Sequence, residues 1–142
     1  EGTKIAGKEL LSVLLEPTKI YTREIQTLTA RLDSVKAVAH ITGGGLTENL
    51  PRVMSEEFSS EILLSSYPST PIYSWIKDNS KLEDEELMKT FNCGIGLVVI
   101  LDSEKFEDTR NLIESENIPF TVIGKITKKA SKNVIYSGKL NL

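Results

Sequence analysis

The feature that most constrains this chain is the triplet Gly43-Gly44-Gly45, set between an apolar run and a proline. Val35, Ala37, Val38, Ala39 and Ile41 precede it, with His40 and Thr42 beside it, and Leu46 to Arg52 follow. Three consecutive residues without Cβ permit φ > 0 and let another group come close to the backbone. Thr47 and Asn49 are favourable helix N-caps, and Pro51 suits a first helical turn. The expected layout is strand, glycine loop, helix start, which presents bare N–H groups to an anion. A tight turn with no ligand fits the same spacing, and both readings stay open at this level. The loop is not a Walker loop, since no Lys-Ser or Lys-Thr follows the glycines, and it lacks the Gly-x-Gly-x-x-Gly spacing.

Around this loop the pattern alternates. Ile25, Leu28 and Leu32 recur at helical spacing and predict a helix from Tyr21 to about Asp33. Ser34 to Thr42 reads as a buried strand, and a short helix should run through Met54. Glu61–Ser65, Gly94–Leu101, Pro119–Ile126 and Asn133–Tyr136 read as further strands, with Phe120, Val122 and Ile126 of the third on one face. Helical turns are expected over Ile72–Lys77, and a helix over Lys81–Phe91, whose acidic start and Lys89 near its end complement the helix dipole. Another is expected from Glu104 to about Glu116, capped by Asp102 or Ser103. Glu16-Pro17 should end whatever Lys8–Leu15 forms, and Glu1–Gly7 looks like a boundary. Such an order predicts an α/β (α+β) fold with helices packed on one mixed sheet. The length of 142 residues predicts one domain over residues 1–142.

Composition removes several function classes. A net charge of −3 and a pI near 5.3 give no basic footprint for nucleic acid. No apolar run reaches the roughly 18 residues of a membrane span. One cysteine, Cys93, excludes an internal disulfide framework and fits a reducing compartment, so a cytosolic location is expected. With a single His beside that Cys, a zinc site of the usual ligands is not expected. His40, at the end of the strand, is a candidate hydrogen-bond donor or proton carrier. Arg52 has the fork geometry for phosphate, Asn49 lies between it and the loop, and Cys93 reads as a packed thiol. No Ser-His-Asp set or carboxylate dyad is legible, which leaves a candidate anion loop on a globular domain.

Four stretches taken together carry a resemblance. They are His40 to Arg52, Leu14-Leu15-Glu16-Pro17-Thr18-Lys19-Ile20-Tyr21, Met88-Lys89-Thr90-Phe91-Asn92-Cys93-Gly94-Ile95-Gly96, and Val122-Ile123-Gly124-Lys125-Ile126. In order and spacing they resemble the C-terminal domain of aminoimidazole ribonucleotide synthetase (phosphoribosylformylglycinamidine cyclo-ligase) of purine biosynthesis, most nearly its eukaryotic forms. The resemblance implies an ATP- and Mg²⁺-dependent ring closure of formylglycinamidine ribonucleotide, in which ATP and Mg²⁺ are held mainly by an N-terminal domain that builds a homodimer. That domain has no counterpart in this chain, which opens on Glu1 rather than Met, so the fragment alone is expected to be inactive. Fusion to glycinamide ribonucleotide synthetase or a transformylase is a further expected partnership. By resemblance, Gly43, Gly44 and Gly45 would approach a phosphate, His40 and Thr42 would face the same cleft, and Asn49 and Arg52 are second choices. Gly44→Val is expected to fold and to lose activity. Lys19 stands where the family commonly has Arg, which keeps the charge and loses the planar fork. Two alternatives remain: the matching domain of formylglycinamidine ribonucleotide synthetase or a related ATP-dependent enzyme, and a non-catalytic binding or assembly module of the same fold.

Overall fold

The computed structural model describes residues 2–68 and 70–140. It has the expected α+β character, with its strands divided among three hydrogen-bonded groups. The N-terminal boundary is structured. Strands β1 (Lys4–Ile5) and β2 (Lys8–Glu9) form a small antiparallel hairpin. Its turn residues, Ala6 and Gly7, both have positive φ, as a tight hairpin matched to strand twist requires. Glu1 lies outside the described residues. Helix α1 (Leu10–Leu14) ends before Pro17, and helix α2 (Thr22–Arg31) follows, burying Leu28.

Among the described residues, strand β3 (Val35–His40) pairs only with β5 (Leu97–Leu101), antiparallel, from Val35↔Leu101 to His40↔Leu97. The sequence pattern predicted one mixed sheet with β3 buried in it; instead β3 and β5 form a separate pair in which only Ala39 is buried, because α2 packs on β3 without covering it. The chain next to the pair is tied to helix α6 (Phe106–Ser115) through the buried hydroxyls of Ser34 and Thr109, 2.8 Å apart. The mixed sheet is the other group, in the order β6 (Gly124–Lys128), β4 (Phe58–Leu63), β7 (Val134–Ser137). β4 runs antiparallel to β6 and parallel to β7. The basic turn between β6 and β7 therefore crosses the end of β4. There the buried Ser59 hydroxyl donates to the Lys132 carbonyl (2.7 Å) and accepts from the Ala130 N–H (2.9 Å).

Strand β6 starts later than its sequence pattern implied. Phe120 and Val122 lie outside it and are exposed, although the Ile123 carbonyl still accepts from the Leu63 N–H at 2.8 Å. Helix α4 (Pro71–Ser80) is longer than its apolar spacing showed, and α5 (Asp84–Thr90) begins with three acidic residues. Asp102 caps the last helical segment by accepting from the Glu104 N–H at 3.1 Å. The core gathers Ile41, Leu46 and Leu50 from the glycine-loop segment, Leu87, Met88, Cys93 and Ile95 from α5 and the loop after it, and Ile62 and Val134 from the mixed sheet. Both loops that flank the β3–β5 pair are thus anchored in one apolar cluster. Among the described residues no helix is long and apolar enough to cross a membrane.

Candidate functional site

The antiparallel pairing of β3 and β5 brings two glycine-bearing loops together. His40 is opposite Leu97, and one step further the Ile41 N–H donates to the Gly96 carbonyl at 2.9 Å. The glycine loop therefore leaves β3 beside the Phe91–Gly96 segment that enters β5. Between them is a cleft of about 370 Å³. Its lining comes from three stretches and one helix residue: His40, Ile41, Thr42 and Gly43; Thr90, Phe91, Asn92 and Gly96; Thr18, Lys19 and Tyr21; and Tyr73. Lys19 is the one fully charged side chain among these lining residues, and no carboxylate is among them.

The helix after the glycine loop starts earlier than the capping residues implied. α3 spans Gly45–Asn49, its N-cap is Gly44 at φ 89°, and a 3-10 turn, Leu50–Val53, follows with Pro51 in its first turn. Thr47 and Asn49 therefore lie inside the helix and cap nothing. Thr47 Oγ1 is 2.8 Å from the Tyr136 hydroxyl, which burial, chiefly, raises to about 12. Asn49 is buried, and its side chain folds back on the loop. Its Nδ2 donates to the carbonyls of Gly43 (3.1 Å) and Gly45 (2.7 Å), while its Oδ1 accepts from Thr42 Oγ1 (3.4 Å). One amide thus fixes the loop at three points.

The three glycines do different things. A Cβ on Gly43 would meet no atom within 4 Å. On Gly44 it would run into the Glu48 side chain, in a left-handed conformation. On Gly45 it would collide with the carbonyl oxygens of Met88 and Phe91, so this glycine lets α3 pack against α5. The Gly45 N–H already donates to the Thr42 carbonyl at 3.1 Å, whereas among the described residues those of Gly43 and Gly44 donate to no backbone carbonyl. The expectation for Gly44→Val changes accordingly: the strain at φ 89° and the contact with Glu48 disturb the fold, and Gly43 is the position where substitution tests approach to the loop.

Of the residues singled out in the sequence, His40, Thr42 and Gly43 meet in the cleft. Gly44, Gly45, Asn49 and Arg52 do not line it. Arg52 is exposed and lies 3.7 Å from Glu48, one helical turn back. His40 is exposed, with its ring edge-on to Tyr21 at a centroid distance of 6.1 Å. The Tyr21 hydroxyl rests over Gly96, where any Cβ would strike it. Lys19 Nζ lies 5.1 Å from the Tyr21 ring centroid and 3.0 Å from Glu24 Oε1. That hydrogen bond from Lys19, above all, holds the Glu24 carboxyl below its usual range. Cys93 is buried at φ 47°, and burial pushes its thiol up to about 11, so it is packed and unreactive.

Tyr21, Tyr73 and Asn92 were not singled out from the sequence as site residues. Tyr21 and Asn92 stand in stretches that carried the resemblance; Tyr73 had no signal beyond one helical turn. Among the described residues no three His, Cys, Asp or Glu side chains converge as a metal site.

The cleft sits in a fold of known kind. Residues 1–137 match the family model of the AIR synthase related protein, C-terminal domain, and the chain belongs to that family. A solved structure with the same fold is E. coli HypE, a hydrogenase maturation protein, at TM-score 0.63 and 23% identity, covering 90% of this chain and 40% of that one. This chain therefore spans well under half the length of that structure, and at that identity the likeness concerns the fold alone.

Proposed function

We propose that this chain is the C-terminal half of an ATP-dependent cyclo-ligase that converts formylglycinamidine ribonucleotide to aminoimidazole ribonucleotide, and that it is inactive without its N-terminal half. The observation that supports this reading is the meeting of the His40–Gly43 segment and the Phe91–Gly96 loop on one cleft, in a chain of the AIR synthase related family.

The chemistry needs no protein nucleophile. The formyl amide oxygen takes the γ-phosphoryl group of ATP, giving ADP. An amidine nitrogen then attacks the activated carbon, the C–O bond to phosphate breaks, and loss of a proton leaves the aromatic ring. Catalysis of that kind depends on positioning and on charge stabilisation. This chain would supply the Gly43 N–H group to phosphate oxygens, and Lys19 as a nearby positive charge. His40 is placed to donate a hydrogen bond at the edge of the same space. The donor set of the cleft does not suit Mg²⁺, which prefers carboxylate oxygens, so no step here is routed through a metal.

The test measures formation of aminoimidazole ribonucleotide, with release of ADP and phosphate, by the chain alone and joined to its ATP-binding half. The expected result is turnover only when joined. Silence of the joined, folded protein overturns the reading, and turnover by the chain alone overturns the inactive-alone clause.

A further inference from the structure

The cleft wall facing the glycine loop holds an amide whose orientation is fixed from behind. Asn92 begins the turn Asn92-Cys93-Gly94-Ile95, closed by the Ile95 N–H donating to the Asn92 carbonyl at 3.0 Å. The two central residues have φ of 47° and 92°, and Cys93 is buried in the core, so the turn is anchored. The Gly94 N–H lies 3.1 Å from one side-chain atom of Asn92. A backbone N–H can only donate, so that atom is Oδ1. The Tyr73 hydroxyl donates to the same oxygen at 2.7 Å. Tyr73 is itself held, half-buried, with its ring 5.8 Å from that of Phe91. Both bonds are to Oδ1, and among the described residues Nδ2 has no partner. Asn92 lines the cleft together with Phe91 and Tyr73, and with Oδ1 engaged its Nδ2 is the side-chain atom left free, a neutral donor held in a fixed orientation.

We propose that Asn92 is a specificity-determining residue of the cleft, donating from Nδ2 to a neutral amide-type carbonyl oxygen of the ligand, and that Tyr73 is the positioning residue that keeps the donor turned outward. A phosphate group is better served by the opposite wall, with its backbone N–H groups. A neutral amide beside two aromatic rings suits an uncharged acceptor. This inference rests on the proposed function for the name of the ligand, whose formyl amide oxygen is such an acceptor.

Asn92→Asp tests it with little change of shape. The Gly94 N–H and the Tyr73 hydroxyl both donate, so both bonds survive to one carboxylate oxygen, while the free atom turns from donor to acceptor. A merely structural Asn92 would tolerate this. In the complete enzyme, Asn92→Asp is expected to lower kcat/KM for formylglycinamidine ribonucleotide by roughly 100-fold, chiefly through KM, with Tm moved by less than about 3 °C. Tyr73→Phe is expected to raise KM about 5- to 10-fold with kcat nearly kept.

A folded Asn92→Asp enzyme with unchanged kcat/KM overturns the inference. If Asn92→Asp unfolds, Tyr73→Phe decides in the same way. A readout independent of turnover follows the Asn92 side-chain NH₂ resonances by NMR while this chain is titrated with formylglycinamidine ribonucleotide. Saturable shifts are expected, and their absence overturns the inference even where turnover is intact. Shifts without turnover in the complete wild-type enzyme would remove the proposed reaction and leave the role of Asn92 standing.

Discussion

The two loops at the end of the β3–β5 pair are both glycine-bearing, yet they use glycine for opposite purposes. In the loop after β3, the missing Cβ atoms serve the backbone. Gly43 stays open to the cleft, and Gly45 lets α3 lie against the carbonyls that end α5. In the loop before β5, the missing Cβ atoms make room for side chains. Gly94 faces the Thr70 hydroxyl, and Gly96 faces the Tyr21 hydroxyl. The first loop therefore presents N–H groups, and the second presents a side-chain amide between aromatic rings. A cleft with one wall of each kind can hold a charged group and a neutral polar group of the same ligand in a fixed order. The difference also shows that a glycine motif is not one function repeated: adjacent glycines are required for conformation, for packing or for access, depending on what stands opposite.

The largest effect should come from Gly45→Ala. Its Cβ collides with two backbone oxygens that cannot move independently, at φ 55°. Overpacking and left-handed strain together should cost about 3 kcal/mol or more, read as a drop in the denaturant midpoint. Asn49→Ala comes next. It releases the loop at three points and takes the side-chain donor from the buried Gly45 carbonyl, a cost of about 2 kcal/mol in the same measurement. Gly43→Ala should break the pattern. With open space at its Cβ, stability should stay within about 0.5 kcal/mol, while the KM for the phosphate-bearing ligand in the complete enzyme rises. A Gly43→Ala protein with unchanged KM would mean that the first wall does not take the anion.

The smallest effect concerns the support behind the second wall. Asp84, at the start of α5, is drawn upward by burial. Its ion pair with Lys77 and the Leu140 N–H (3.2 Å) outweigh this and hold its carboxyl below the ordinary 3.8. A depressed folded value means that its stabilisation is complete above the unfolded value and is lost as pH falls through the folded one. Denaturant unfolding followed from about pH 6 to about pH 3 should show a shallower acid loss in Asp84→Asn than in the parent. Parallel curves would remove Asp84 as a support of α5 and of the loop that follows it.

Most of the elements could be read from the sequence because they rest on local patterns. Helical spacing gave α2, and apolar runs gave β3 and β5. The acidic start of Lys81–Phe91 marked α5, and Asp102 was a legible cap. Two local readings failed for one reason. Thr47 and Asn49 have the chemistry of N-caps, but Gly44 adopts the left-handed conformation and starts the helix three residues before Thr47. The hydrogen-bonding side chain of Asn49 is then drawn inward, to carbonyls that the loop exposes. Phe120 and Val122 have strand character, yet β6 pairs with β4 only from Gly124 onward, where the register puts Gly124 against Ile62.

The site was legible only in part. His40, Thr42 and Gly43 are close in sequence and stay close in space. Tyr73 and Asn92 lie on separate elements, and nothing local links a tyrosine in a helix to an amide in a turn.

By itself, then, the sequence determined that residues 43–45 end a strand in an anion-compatible turn, and that an apolar strand runs up to Leu101, although β5 starts at Leu97 and not at the expected Gly94. Only the tertiary structure decided which glycine is open and which is packed. All three have the same intrinsic freedom, and the choice depends on the Met88 and Phe91 carbonyls brought up by α5. It also decided that an amide lining the cleft keeps its donor free, because the Gly94 N–H and the Tyr73 hydroxyl both donate to its oxygen.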